Sequence, residues 1–175
     1  MGCCIMKRKD GEKTMWKHRE EAEDQIRLHD CRATYIAAEQ NRILMGFADG
    51  FWLIRKTAYN LTENTIKTAG SQLVFYLDDQ YADDVTVYIF RQKQLRGKKW
   101  VQIRECKDIQ WLMKMINQKG AQLEIIYEYG YYRRRLYICD LILRHPTDRM
   151  ECQVEIPAIQ KMECCWNEID PKRVW

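Results

Sequence analysis

The chain has 175 residues, of which 46% are hydrophobic and 31% charged, and its formal net charge is +4. That balance belongs to a folded globular protein and excludes a disordered chain, and the length is enough to bury a core without metals or disulfides. A single serine, Ser71, and three prolines leave no Ser- or Pro-rich linker, so any two halves must abut.

The first ten residues carry no apolar stretch before Lys7-Arg8-Lys9, so they do not read as a secretory signal. Met-Gly-Cys-Cys at the start resembles an acylated terminus, but Met6 stands where myristoylation takes Ser or Thr. Cys3-Cys4 and Cys164-Cys165 are adjacent pairs and no C-x-x-C occurs, which reads as free thiols in a reducing cytoplasm. No apolar run reaches membrane-spanning length, so no membrane partner is expected.

From Lys13 to about Gln40 the helix-forming composition, with Trp16, Ala22, Ile26 and Ile36 as an apolar stripe, predicts one or two helices interrupted near His29-Asp30. Asp49-Gly50 between two apolar runs predicts a hairpin over residues 42–56, although a buried helix would show the same apolar density. Period-two alternation then marks strands at Gln72–Leu77, Val85–Phe90 and Lys98–Arg104. Ile109, Leu112, Met113 and Ile116 follow at helical spacing from Asp108 to Gln118, with Gly120 as the stop. A similar order returns about fifty residues later: Gln72-Leu73 as Gln122-Leu123, Tyr88-Ile89 as Tyr137-Ile138, Ile109-Gln110 as Ile159-Gln160. The echo predicts a duplicated supersecondary unit, with strands at Gln122–Tyr129, Tyr131–Leu143 and Cys152–Ile156 and a last helix from Ala158 to Asn167. The expected fold is therefore α+β, with N-terminal helices and two tandem βββα units whose antiparallel sheets pack together. The expected boundaries are 1–71, 72–120 and 121–175, within one compact domain.

Charge is clustered rather than large. Between Arg91 and Arg104 lie six basic residues and no acidic one, and Arg133-Arg134-Arg135 forms a second cluster. Alternation places Tyr76, Tyr88, Phe90 and Trp100 on an outward face with Lys98, Gln102 and Arg104. Rings stack on bases while neighbouring cations hold phosphates, whether a sheet takes a single strand or a ribbon approaches a groove. Equally, the rings could be buried against the other unit, since Tyr and Trp bury large areas. A three-stranded sheet backed by one helix resembles the small DNA-binding units of phage integrases and plant AP2-type factors; the resemblance is one of topology and carries no residue roles.

These readings converge on a small non-catalytic cytoplasmic protein of a phage or mobile element. It would bind nucleic acid, or a nucleic-acid-bound protein, through Arg91, Lys93, Arg96, Lys98, Lys99, Trp100, Arg104, Arg133, Arg134 and Arg135. No cofactor or metal is implied. The rival is an anti-defence inhibitor whose Asp78, Asp79, Asp83 and Asp84 mimic phosphates on a nuclease or another nucleic-acid-binding protein. Tyr81-Ala82-Asp83-Asp84 before an apolar strand also resembles the Tyr-Ala-Asp-Asp hairpin of reverse transcriptases, which would imply metal-dependent chemistry at Asp83 and Asp84. The remainder of a polymerase palm is not evident in so short a chain, and Ser71, His18, His29 and His145 form no catalytic spacing.

Overall fold

The computed structural model describes residues 16–78, 84–94, 100–143 and 148–175. The chain is built from antiparallel strands in three sheets. In chain order these are β1 (His18–Glu20), β2 (Ile26–Arg27), β3 (Cys31–Ala33), β4 (Tyr35–Glu39), β5 (Arg42–Phe47), β6 (Trp52–Leu53), β7 (Ile66–Thr68), β8 (Ser71–Leu77), β9 (Thr86–Gln94), β10 (Trp100–Asp108), β11 (Gln122–Tyr131), β12 (Arg134–Ile142), β13 (Arg149–Ile156), β14 (Ile159–Trp166) and β15 (Ile169–Val174). One helix, α1 (Ile109–Met113), lies between β10 and β11 and widens into a π turn over Lys114–Gln118.

A five-stranded sheet, β1-β14-β8-β5-β4, faces a six-stranded sheet, β10-β9-β13-β12-β11-β3. Their inner faces share one core, in which Ile36, Ile43, Met45, Leu73 and Phe75 meet Val87, Ile89, Leu123, Ile125, Cys139 and Val154. Phe75 meets Tyr137 edge-on at 6.2 Å across the gap, as expected for facing sheets about 10 Å apart. The third sheet, β15-β7-β6-β2, continues the first around a corner, because β14-β8-β5 and β15-β7-β6 keep the same neighbour order. Phe51 joins the two through edge-on contacts to Phe47 and Trp166. The helix starts on Asp108, whose carboxylate accepts from the Trp111 N–H at 2.8 Å. Its Asn117 amide brackets Ile36 on the edge strand β4, accepting from the Ile36 N–H at 3.1 Å and donating to its carbonyl.

Several expectations are overturned. Residues 16–40 form four short strands and a single 3-10 turn at Glu23–Gln25, not helices. That turn joins Ala22 to Ile26, so two core residues four apart imitate a helical stripe. After it, Ile26 and Leu28, then Cys31 and Ala33, alternate by two around a turn at Asp30, which sits at φ 58. Nor are there tandem βββα units: β8 belongs to the first sheet while β11, its supposed counterpart, belongs to the second. The helix expected at Ala158–Asn167 is the interior strand β14, so the echo ends in two different structures. The helix over Asp108–Gln118 does form, and Gly120 closes it at φ 72.

Asp49-Gly50 marks a turn but not a hairpin. β5 pairs with β4 and β8, whereas β6 pairs with β2 and β7, so the chain bends there from one sheet into another. Gly50 is at φ 75, and a Cβ there would lie 2.0 Å from the Ala69 carbonyl oxygen. Only glycine fits that corner.

Candidate nucleic-acid interface

β9 and β10 stay paired from Thr86–Asp108 to Gln94–Trp100. β9 pairs with β13 only over Thr86–Ile89, opposite Glu155–Cys152. From Phe90 to Gln94 the described chain pairs with β10 alone, a two-stranded ribbon roughly 17 Å long at about 3.4 Å per residue, while β13 runs on to Arg149 without pairing to it. The cause is visible in the side chains: Val87 and Ile89 are buried in the core, and from Arg91 to Gln94 every described residue of β9 is exposed.

The register sorts the ribbon into two faces. Val101 and Ile103 share the inward-continuing face with Lys93 and Arg91. On this face Glu105 lies 3.0 Å from the Lys107 ammonium and 4.0 Å from the Arg91 guanidinium. The Lys107 hydrogen bond, with help from Arg91, holds the Glu105 carboxyl below its ordinary range. The outward face carries Trp100 beside Gln94, Gln102 beside Gln92, Arg104 beside Phe90 and Cys106 beside Tyr88. Trp100 is 61% exposed, Phe90 and Tyr88 are half-buried, and the Arg104 guanidinium sits 4.8 Å over the Tyr88 ring. Gln92 and Gln94 escaped the sequence reading; the alternation Arg91-Gln92-Lys93-Gln94 was the signal available.

Of the residues expected at an interface, Arg91, Lys93, Trp100 and Arg104 are together on this ribbon. Arg96, Lys98 and Lys99, which fall between its strands in sequence, lie outside the described residues. Tyr76 is not on this face. It stands on β8 in the other sheet, donating to the Glu163 carboxylate at 2.8 Å and accepting from Arg19.

The second basic cluster sits at the opposite end of the six-stranded sheet. Thr86 is level with Glu155, and Glu155 with Leu136. The ribbon runs eight residues one way from there, Thr86 to Gln94, and the β11–β12 hairpin four the other, Leu136 back to Tyr132, a span of roughly 40 Å. Each arginine of the hairpin is engaged. Arg133 donates to Asp78 at 2.5 Å and to the Ile159 carbonyl at 3.1 Å. Arg134 pairs with Glu155 at 3.4 Å, and Arg135 with Glu23 at 2.5 Å. These contacts fasten the hairpin to the rest of the fold. Tyr129, Tyr131 and Tyr132 are exposed around its tip, and Tyr132 holds φ 54.

Asp78, the first residue of the acidic loop, is thus taken up by Arg133, and the Gln160 amide also donates to it. Asp84 is exposed ahead of β9, while Asp79, Asp83 and most of Tyr81-Ala82-Asp83-Asp84 lie outside the described residues. Among the described residues no group of three or more His, Cys, Asp or Glu is placed to hold a metal ion. His18 stacks on Trp166 at 4.8 Å, and the His29 ring holds the Ile126 carbonyl at 2.7 Å. No helix among the described residues is long and apolar enough to cross a membrane. No protein-family model, curated protein or solved structure matches this chain.

Proposed function

We propose that this is a non-catalytic cytoplasmic protein that binds nucleic acid through the β9–β10 ribbon. The observation that supports the reading is the ribbon itself. It is a two-stranded arm with no third paired strand beyond Ile89 among the described residues, with Arg91, Lys93 and Arg104 and no carboxylate from Phe90 to Gln94 or from Trp100 to Arg104. Among the described residues Lys93 and Arg104 form no ion pair, so their charge is free to meet phosphates. Glutamine and arginine side chains on the outward face are the types that hydrogen-bond base edges.

Binding of this kind releases counterions, so affinity falls with salt in proportion to the phosphates neutralised. Replacing Arg91, Lys93 and Arg104 by glutamine lowers affinity for nucleic acid at low salt, by about tenfold or more in total, and flattens the salt dependence by up to about three charges. The positions are exposed, so the melting temperature stays close to that of the parent. Filter binding or fluorescence anisotropy between about 50 and 200 mM salt measures both quantities. Unchanged affinity and slope in the triple variant would remove the ribbon from the function.

A further inference from the structure

We infer that the ligand of the ribbon is single-stranded nucleic acid, lying along the β9–β10 axis with its bases stacked on Trp100, Phe90 and the Arg104–Tyr88 pair. This rests on the reading of the ribbon as a nucleic-acid interface and narrows the substrate class. The outward face presents, in four successive cross-strand pairs, an exposed indole with a glutamine, two glutamines, an arginine with a phenyl ring, and a thiol with a phenol. A duplex in contact with such a face keeps its bases stacked on one another and offers only their edges, so the rings would find nothing to stack on. A single strand offers both. Its ring faces cover Trp100 and Phe90, and its Watson–Crick edges reach Gln92, Gln94 and Gln102.

Arg104 adds a second reason. Its guanidinium carbon lies over the Tyr88 ring, 4.8 Å from the centroid, and Arg104 sits across the ladder from Phe90. That position makes it a stacking plane and a phosphate partner at once.

The surrounding charges set the direction and the length. On the β13 side the same outward face carries Glu151 and Glu155, so a polyanion crossing the sheet would meet carboxylates. Along the ribbon none appears until Asp108, opposite Thr86, where the helix begins. From Trp100 to Cys106 the lane is roughly 20 Å long. That suits a short site of about four nucleotides, the low end for single-strand binding surfaces.

The test compares a ten-nucleotide oligothymidylate, a mixed-sequence single strand of the same length and its duplex, bound to the full chain with Cys3 and Cys4 changed to serine. The single strands are expected to bind about tenfold or more tighter than the duplex. They should quench indole emission in a way that Trp100→Leu abolishes, and slow alkylation of Cys106 at the far end of the lane. Trp100→Ala should weaken single-strand binding by about 5- to 100-fold, the range for loss of one base-stacking ring. Duplex binding as tight as single-strand binding, with Trp100→Ala harmless, would overturn the single-strand assignment and leave the ribbon reading standing. Absence of binding to all three ligands would overturn both.

Discussion

Five of the described cysteines point into the protein and one does not. Cys31, Cys139, Cys152, Cys164 and Cys165 are buried, whereas Cys106 is exposed on β10. Burial pushes the Cys31 and Cys164 thiols up to about 12 and Cys165 to about 11, so at neutral pH they are protonated and poor nucleophiles. With Cys3 and Cys4 changed to serine, the native protein should therefore release one equivalent of chromophore from a disulfide reagent, and Cys106→Ser should release none. Rapid labelling of several thiols under native conditions would contradict the packed core. Carboxylates give a pH signature instead. Burial alone would raise the Glu163 carboxyl, but hydrogen bonds from Arg19, Tyr76 and Lys161 outweigh it and hold the carboxyl below its ordinary 4.5. A folded-state value below the unfolded one means that its contribution is fully present above about pH 4.5 and is lost as pH falls through the folded value. Urea midpoints should hold from pH 7 to about 4.5 and decline below it. Glu163→Gln should cost about 1–3 kcal/mol at pH 7, the scale of a hydrogen bond to a charged group, and reduce that decline. An acid limb of unchanged steepness in the variant would show that Glu163 is not responsible.

At the scale of elements, the β11–β12 hairpin sets a fold requirement against a residue choice. Its two-residue loop, Tyr132-Arg133, places Tyr132 at φ 54, where glycine or asparagine would be at ease and a tyrosine is strained. The ring is 90% exposed and contributes little packing in return. Tyr132→Gly is expected to raise stability by about 0.5–1 kcal/mol, a shift of roughly 1–4 °C in melting temperature at this size. A drop in melting temperature would mean that the ring contacts something that stabilises the fold. Element by element, the sequence was legible where a strand alternates without interruption. β8, β9, β10, β12 and β13 were all found, and the alternation within β9 and β10 put Tyr88, Phe90, Trp100, Gln102 and Arg104 on one face as the register does, because period-two burial leaves a direct trace; Tyr76, expected beside them, stands on the other sheet. β14 was misread for a definite reason. A bulge between Ile159 and Lys161 shifts its phase, so Ile159 and Met162, three apart, both turn inward as they would on a helix. What no local pattern carries is pairing. β1 lies against β14 and β3 against β11, partners separated by most of the chain, and so the placement of the two basic clusters at opposite ends could not be read in advance.

Viewed as a whole molecule, core and ribbon are separable. The core closes by strands that pass between sheets: β3 to β4 at Thr34, β13 to β14 at Pro157-Ala158, and β5 to β6 at the Gly50 corner. None of these passages involves the residues beyond Phe90 and Arg104. Among the described residues the ribbon adds no fully buried side chain there: Val101 and Ile103 are half-buried, and Arg91 to Gln94, Trp100 and Gln102 are exposed. Its stability is borrowed from the sheet that holds Val87 and Ile89 in place, since an isolated two-stranded ribbon is marginal in water. Cutting it back should therefore leave the fold intact. Because Phe90 and Arg104 are register partners, replacing residues 91–103 by Asn-Gly would join them through a two-residue turn matched to the twist of the strands. The trimmed protein should keep the circular dichroism of the parent and melt within a few degrees of it. Any loss from Val101 and Ile103 is partly offset by the shorter loop, whose closure entropy grows only slowly with length. Nucleic-acid binding should disappear, including the salt-dependent part. The hairpin with its tyrosines remains on the trimmed protein, about 40 Å away, so binding that persists would place the interface there and not on the ribbon. Unfolding on trimming would show instead that β13 and β9 need the ribbon to pair, and that the arm which carries the charge also nucleates its sheet.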